Sequence, residues 1–252
     1  MNIYIELAAL AWFLICWVGY SLYSRRAADK RPCLSNTLDL YRTDWMRVML
    51  ARENRISDAS VVGNLERNGA FFASSCLLIL AGIITALGYT QQVMEVFGTM
   101  PFGTLPSREV FEMRMVLLMV IFIYAFFKFT WSMRCYNFLA VLIGAAPLAG
   151  DTKTSPAARD AFAQSAATVC NQAGDAFNLG LRSYYYALAV VAWFAHPVAF
   201  IAASTLIVVI LYRREFHSAA LMALRSGKVF DDPVSKKETV KEKEPEETAR
   251  YE

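Results

Sequence analysis

The sequence predicts an all-α polytopic membrane helix bundle, and three observations predict it. Hydrophobic residues make up 56% of the 252, with a mean hydropathy of +0.34. Charged residues make up 19%, below the roughly 25% usual in soluble domains. The two kinds are also segregated. Apolar residues concentrate in runs near the roughly 20 residues that a helix needs to cross a bilayer, and the charges collect between the runs and in the C-terminal tail. This pattern excludes a disordered chain and an ordinary soluble enzyme. A net charge of +3, diluted among apolar runs, gives no footprint for nucleic acid.

The first run, residues 3–23, carries one acid, Glu6, near its start, where water is within reach of a helix N-terminus. Trp12, Trp17, Tyr20 and Tyr23 supply aromatic anchors, and Arg25, Arg26, Lys30 and Arg31 stop the run. With no basic region before it and no small-x-small site after it, the run reads as a retained span and not as a cleaved leader.

Residues 24–68 hold nine basic and six acidic side chains. Within them, residues 38–55 read as an amphipathic helix, with Leu38, Tyr41, Trp45, Val48 and Met49 at helical spacing. Two placements suit it. It lies on the membrane surface with Trp45 dipped in and Arg42, Arg47 and Arg52 on headgroups, or it packs on the protein's own cytoplasmic end.

The second run, residues 69–89, is uncharged and rich in small residues suited to close helix packing. Residues 90–112, with two glycines and two prolines, read as a loop holding Arg108 and three acids. The third run, residues 113–133, contains Lys128, which reads as reaching toward the cytoplasmic side; helical character extends toward Ile143. Residues 151–183 are Ala-rich and read as a cytoplasmic helix that continues into the next apolar run.

That run, residues 184–212, is interrupted by His196 and Pro197. Unbroken, its 29 residues would reach about 44 Å, beyond the roughly 30 Å hydrocarbon core. Split at His196 and Pro197, it gives two spans of about 17 residues joined as a hairpin. The positive-inside rule favours the split, because it returns Arg213, Arg214 and Arg225 to the side of residues 24–68. The expectation is five spans, N-terminus outside and C-terminus cytoplasmic in a bacterial inner (plasma) membrane, with four spans as the alternative. Residues 1–225 form the bundle. Residues 226–252, with six basic and eight acidic side chains, read as a disordered cytoplasmic tail.

Chemistry-bearing motifs are few. The five cysteines (Cys16, Cys33, Cys76, Cys135 and Cys170) are odd in number, include no CxxC, and read as packing residues. The two histidines have no carboxylate or second histidine at metal-ligand spacing, so neither a metal nor a cofactor is expected. No phosphate-binding glycine loop, HExxH or GxSxG occurs. Polar groups do recur at the expected cytoplasmic ends of the spans: Glu66, Arg67 and Asn68; Arg134 and Asn137 beyond Lys128; and Asp175, Asn178, Arg182 and Tyr185. At equal depth they could form one network, with Asp175 or Glu66 paired to Arg134 or Arg182.

These same segments carry a resemblance. Leu65-Glu66-Arg67-Asn68, Ser132-Met133-Arg134-Cys135-Tyr136-Asn137, Gly180-Leu181-Arg182-Ser183-Tyr184-Tyr185 and Leu211-Tyr212, in that order and spacing, resemble the membrane proteins grouped as domain of unknown function 599 (DUF599). The resemblance implies a multi-span membrane protein and no particular activity. The functional expectation is a non-enzymatic accessory or scaffold protein acting through lipid or protein contacts. The alternative is a small oligomeric channel or transporter with an anion-binding arginine cluster near the inner leaflet. An enzyme acting on lipid would have only Asp175 or Glu66 to work with. The expected partners are the bilayer and then another membrane protein or a second copy, with no nucleic acid.

Overall fold

Each apolar run becomes a helix in the computed structural model, which describes residues 3–28, 30–98 and 107–227. The order is α1 (Ile3–Leu14), a π-helical turn (Ile15–Gly19), α2 (Tyr20–Ala28), α3 (Leu34–Ala51), α4 (Ile56–Gly88), α5 (Thr90–Gly98), α6 (Arg108–Ala145), α7 (Pro156–Ala195), α8 (Pro197–Phe216) and α9 (Ala219–Ser226). Among the described residues there is no strand. Residues 228–252, nearly all of the expected tail, lie outside the described part.

Local chemistry sets the boundaries. Ser155 caps α7 by accepting from the Ala158 N–H at 3.2 Å, and Pro156 takes the first turn, where its missing N–H costs nothing. His196 ends α7 in an extended conformation, and its Nδ1 accepts from the Val198 N–H at 3.1 Å, capping α8. The carbonyls at and just beyond the C-terminus of α6 are covered by arginines. Arg55 donates to Ala146 O at 2.9 Å and to Pro147 O, and Arg159 donates to Leu148 O at 2.9 Å.

The α7–α8 hairpin follows from its pairings. Trp193 stacks on Phe200 at 4.3 Å, Tyr185 accepts from Arg214 at 3.0 Å, and Arg182 pairs with Glu215 at 3.4 Å. As the first partner moves back along α7, the second moves forward along α8, so the two helices are antiparallel. α6 lies along both α4 and α7, and α1 lies along α8. Small residues close the α6–α7 contact. A Cβ at Gly180 would lie 2.7 Å from the Phe129 ring, and the Ser132 hydroxyl donates to Ala173 O at 2.8 Å.

By length and composition four helices can cross a membrane: Tyr4–Ala28, Ile56–Gly88, Arg108–Ala145 and Pro197–Ser226. The second half of α7 falls short because of Arg182 and three tyrosines, yet it runs beside α8. Its polar groups are spent on protein: Tyr184 donates to Phe72 O at 3.2 Å and Tyr186 to Cys16 O at 3.2 Å. A helix wrapped by other helices can carry such groups at membrane depth.

Several boundaries differ from the sequence reading. α4 starts at Ile56, thirteen residues before its apolar run, because Val62 and Leu65 pack with Met46, Met49 and Leu139 in a second core beyond the spans. Residues 90–112 are not all loop: α5 occupies Thr90–Gly98 and α6 begins at Arg108, while 99–106 lie outside the described residues. Residues 151–183 do continue into the next run as one helix, α7.

Candidate functional site

The two ends of the bundle are built differently. At the hairpin end, Glu6 on α1 accepts from a single Arg114 Nη2 on α6 at 2.8 and 3.0 Å, and from Trp193 Nε1 on α7 at 2.7 Å. Both charged residues are 1% exposed. The Arg114 guanidinium also lies 5.2 Å from the centre of the Trp193 ring. Sequence reasoning placed Glu6 within reach of water. The structure corrects this: Glu6 points into the bundle, where Arg114 compensates its charge. Arg114 itself went unremarked at the start of the third run. Its sign, opposite to that of Glu6 at the same end of neighbouring spans, was the available signal. Just below, Trp17 stacks on Tyr186 at 5.5 Å and Phe13 packs on Phe200 at 5.1 Å, so aromatic rings fill this half.

At the opposite end, near α3, the charges surround open space. A cavity of about 380 Å³ lies where the apolar run of α1–α2 ends and where that of α8 ends. α2 contributes Ser24 and Arg25; α3 contributes Ser35, Asn36 and Asp39. α7 contributes Asp175, Asn178 and Arg182, and α8 contributes Glu215. An adjoining space of about 100 Å³ shares Ser35, Asn178, Arg182 and Glu215 and is otherwise lined by Leu34, Leu38, Leu181 and Leu211 with Tyr185 and Arg214.

The hydrogen bonds tie four helices around Arg182. Its Nη2 donates to Glu215 Oε2 and to Ser24 Oγ, both at 3.4 Å, and its guanidinium lies 5.5 Å from the centre of the Tyr20 ring. Glu215 Oε1 accepts from the Ser35 N–H at 3.2 Å, and the Ser35 hydroxyl donates to Asp175 Oδ1 at 3.3 Å. Asp39 accepts from Arg42 at 2.8 Å. Burial raises the Asp39 carboxyl above its ordinary value; Arg42 opposes the rise, and the negative charges of Asp175 and Glu215 add to it. Arg25 has no hydrogen bond or ion pair among the described residues.

Of the network expected from sequence, Asp175, Asn178, Arg182 and Tyr185 meet here. Their partners differ from those expected, since Arg182 takes Glu215. The rest point elsewhere. Arg67 and Asn68 are exposed, and Arg67 donates to Asn64 on its own helix. Arg134 and Asn137 are exposed, with the Arg134 guanidinium over Phe138. The pairing of Glu66 or Asp175 with Arg134 is therefore not formed. Ser132 explains why: it is buried against α7, and a side chain two positions on faces the other way. Lys128 does not reach forward along α6 but turns back over the Tyr124 ring, at 5.3 Å.

Helix α3 takes the second of its two placements. Trp45, which the first placement dips into lipid, donates its indole N–H to the buried Asp58 at 2.6 Å, and Arg52 pairs with the same carboxylate at 2.6 Å. Arg47 pairs with Asp160 on α7 at 2.9 Å, and Arg42 sits against Gly174, where a Cβ would collide with it. These side chains dock α3 on α4 and α7 and not on headgroups.

Sequence reading missed Glu215, Ser35, Asp39 and Arg25. An acid directly after Arg213 and Arg214 was the one visible hint.

Together these features define an integral membrane helix bundle, closed at one end by a buried ion pair and carrying a charged pocket at the other. The family model described as "Protein of unknown function, DUF599" matches residues 8–220, and the chain belongs to that family. The chain matches no curated protein and no solved structure.

Proposed function

We propose that the protein acts without catalysis, as a binding or accessory protein of the bacterial inner (plasma) membrane that captures a small polar group in the charged pocket. The observation that carries this reading is the pocket: side chains from α2, α3, α7 and α8 surround about 380 Å³ at the end of two apolar runs. In this reading the N-terminus is outside, and residues 24–68 and the C-terminal end face the cytoplasm, as the positive-inside rule favours. Ser24 and Ser35, the hydroxyls in the pocket, hold hydrogen bonds to Arg182 and Asp175 and have no histidine beside them, which supports binding over acyl transfer.

Transport is the second reading. A path through one protomer would have to pass the Glu6–Arg114–Trp193 cluster and the stacked rings below it, and Arg67 and Arg134 face away from the pocket. An assembly of several copies would be required. Native mass spectrometry of the detergent-purified protein, beside an ion-leak assay in liposomes, separates the readings. Binding predicts a retained small molecule, lipid or partner and tight liposomes. Liposomes that leak in proportion to protein, with nothing retained, contradict it.

A further inference from the structure

The pocket is amphipathic. Its larger chamber is lined by charges of both signs, and the smaller one, sharing the Arg182–Glu215 wall, adds four leucines. The charges are incompletely matched. Arg25 has no partner among the described residues, and Arg182 uses only Nη2 for Ser24 and Glu215. Asp175 and Asp39 each engage one oxygen, with Ser35 and Arg42, and among the described residues the other oxygen has no hydrogen-bond partner. Across the two chambers a purely anionic ligand would face three carboxylates, and a purely cationic one would face three guanidiniums, those of Arg25, Arg182 and Arg214. A ligand that carries both charges and an apolar part meets neither conflict. The place of the pocket agrees: Ser24 follows the run that ends at Tyr23, and Glu215 follows the run that ends at Tyr212, whose rings lie 6.3 Å apart. Paired tyrosines at the ends of apolar runs mark headgroup depth.

We propose that the two chambers hold one amine-bearing zwitterionic phospholipid. Its phosphate lies against Arg182 and Arg25, its ammonium against Asp175 and Asp39, and the start of an acyl chain against Leu34, Leu38, Leu181 and Leu211. This rests on the binding reading above and names its ligand. A quaternary trimethylammonium has no N–H to donate to the two carboxylates, and a glycerol headgroup has no positive charge, so both bind more weakly.

The test is native mass spectrometry of the full chain released from nanodiscs of equal parts phosphatidylethanolamine, phosphatidylcholine and phosphatidylglycerol. Phosphatidylethanolamine should be retained in excess of its share. Asp175→Asn should lower that excess roughly tenfold, the worth of one hydrogen bond between charged groups. Arg25→Gln should weaken retention of all three lipids. Asp175 and Arg25 are exposed, so neither substitution opens a cavity in the core, and thermal melting of each variant checks that it folds. Retention in bulk proportion, or a preference for phosphatidylglycerol that Asp175→Asn leaves unchanged, overturns the zwitterion and leaves the binding reading standing. No lipid retained by the wild type overturns the phospholipid, and the binding reading falls with it when no small molecule or partner is retained either. Retention of added soluble glycerophosphoethanolamine with no phospholipid beside it overturns the bilayer as the source.

Discussion

Glu6 and Arg114, 108 positions apart, meet at 2.8 Å with neither side chain open to solvent. Their contact joins α1 to α6, and Trp193 adds α7 to the same carboxylate. A buried pair of this kind is costly to break singly and cheap to replace as a pair. Glu6→Gln or Arg114→Met alone should each destabilise the bundle by about 3–5 kcal/mol, and the double variant should recover most of the loss. Thermal melting in detergent reads this. Additive losses in the double variant would show that the two side chains act independently.

The α6–α7 contact depends on Gly180, where a Cβ would enter the Phe129 ring. Gly180→Ala should cost about 1–3 kcal/mol through over-packing. At Gly82 nothing lies within 4 Å of the added Cβ, so Gly82→Ala should be neutral or gain up to about 1 kcal/mol from helix propensity. Equal effects at the two positions would count against the described packing.

All five cysteines are free and buried. Burial pushes the Cys33 thiol, outside the spans, up to about 11, and its sulfur accepts from the Asn36 N–H at the start of α3. A water-soluble maleimide should leave the folded protein unmodified at neutral pH and label it once denatured. Rapid labelling of the native protein would disprove the packing of Cys33 or its neighbours.

Asp39 faces Arg42 on its own helix, Arg25 on α2, Asp175 and Arg182 on α7, and Glu215 on α8, across the pocket. Its raised value means that folding favours the protonated carboxyl. Stability from this group is therefore present at low pH and lost as pH rises through the folded value. Asn mimics the protonated carboxyl, so Asp39→Asn should melt above the wild type at neutral pH, and the gap should close as pH falls toward the ordinary carboxylate value of about 3.9. A wild type that melts above Asp39→Asn at neutral pH and loses that advantage on acidification would mean that Arg42 dominates the site.

Much of the architecture was legible. Apolar runs gave the helices, and His196 with Pro197 marked where α7 ends and α8 begins; the Ser155 cap before Pro156 that opens α7 went unread. Charge asymmetry chose the hairpin. What hydropathy reports is depth along a span, and it says little about which way a side chain faces around the helix. Arg67, Arg134 and Arg182 share a depth by sequence, yet only Arg182 turns inward, because Ser132 and Gly69 occupy the buried faces of α6 and α4. The partners of Arg182, Ser24 and Glu215, lie 158 and 33 positions away, and no local pattern ties either to it. Trp45 looked like a membrane anchor, since an amphipathic helix shows the same periodicity whether lipid or protein covers it.

The most direct test of a pocket open to the cytoplasm is the side from which it can be reached. Ser35→Cys places a thiol on the pocket wall, against a background of five buried cysteines. A charged, membrane-impermeant maleimide should label it in inside-out vesicles and leave it untouched in right-side-out ones. Labelling from the outside alone would contradict the orientation and with it the proposed site.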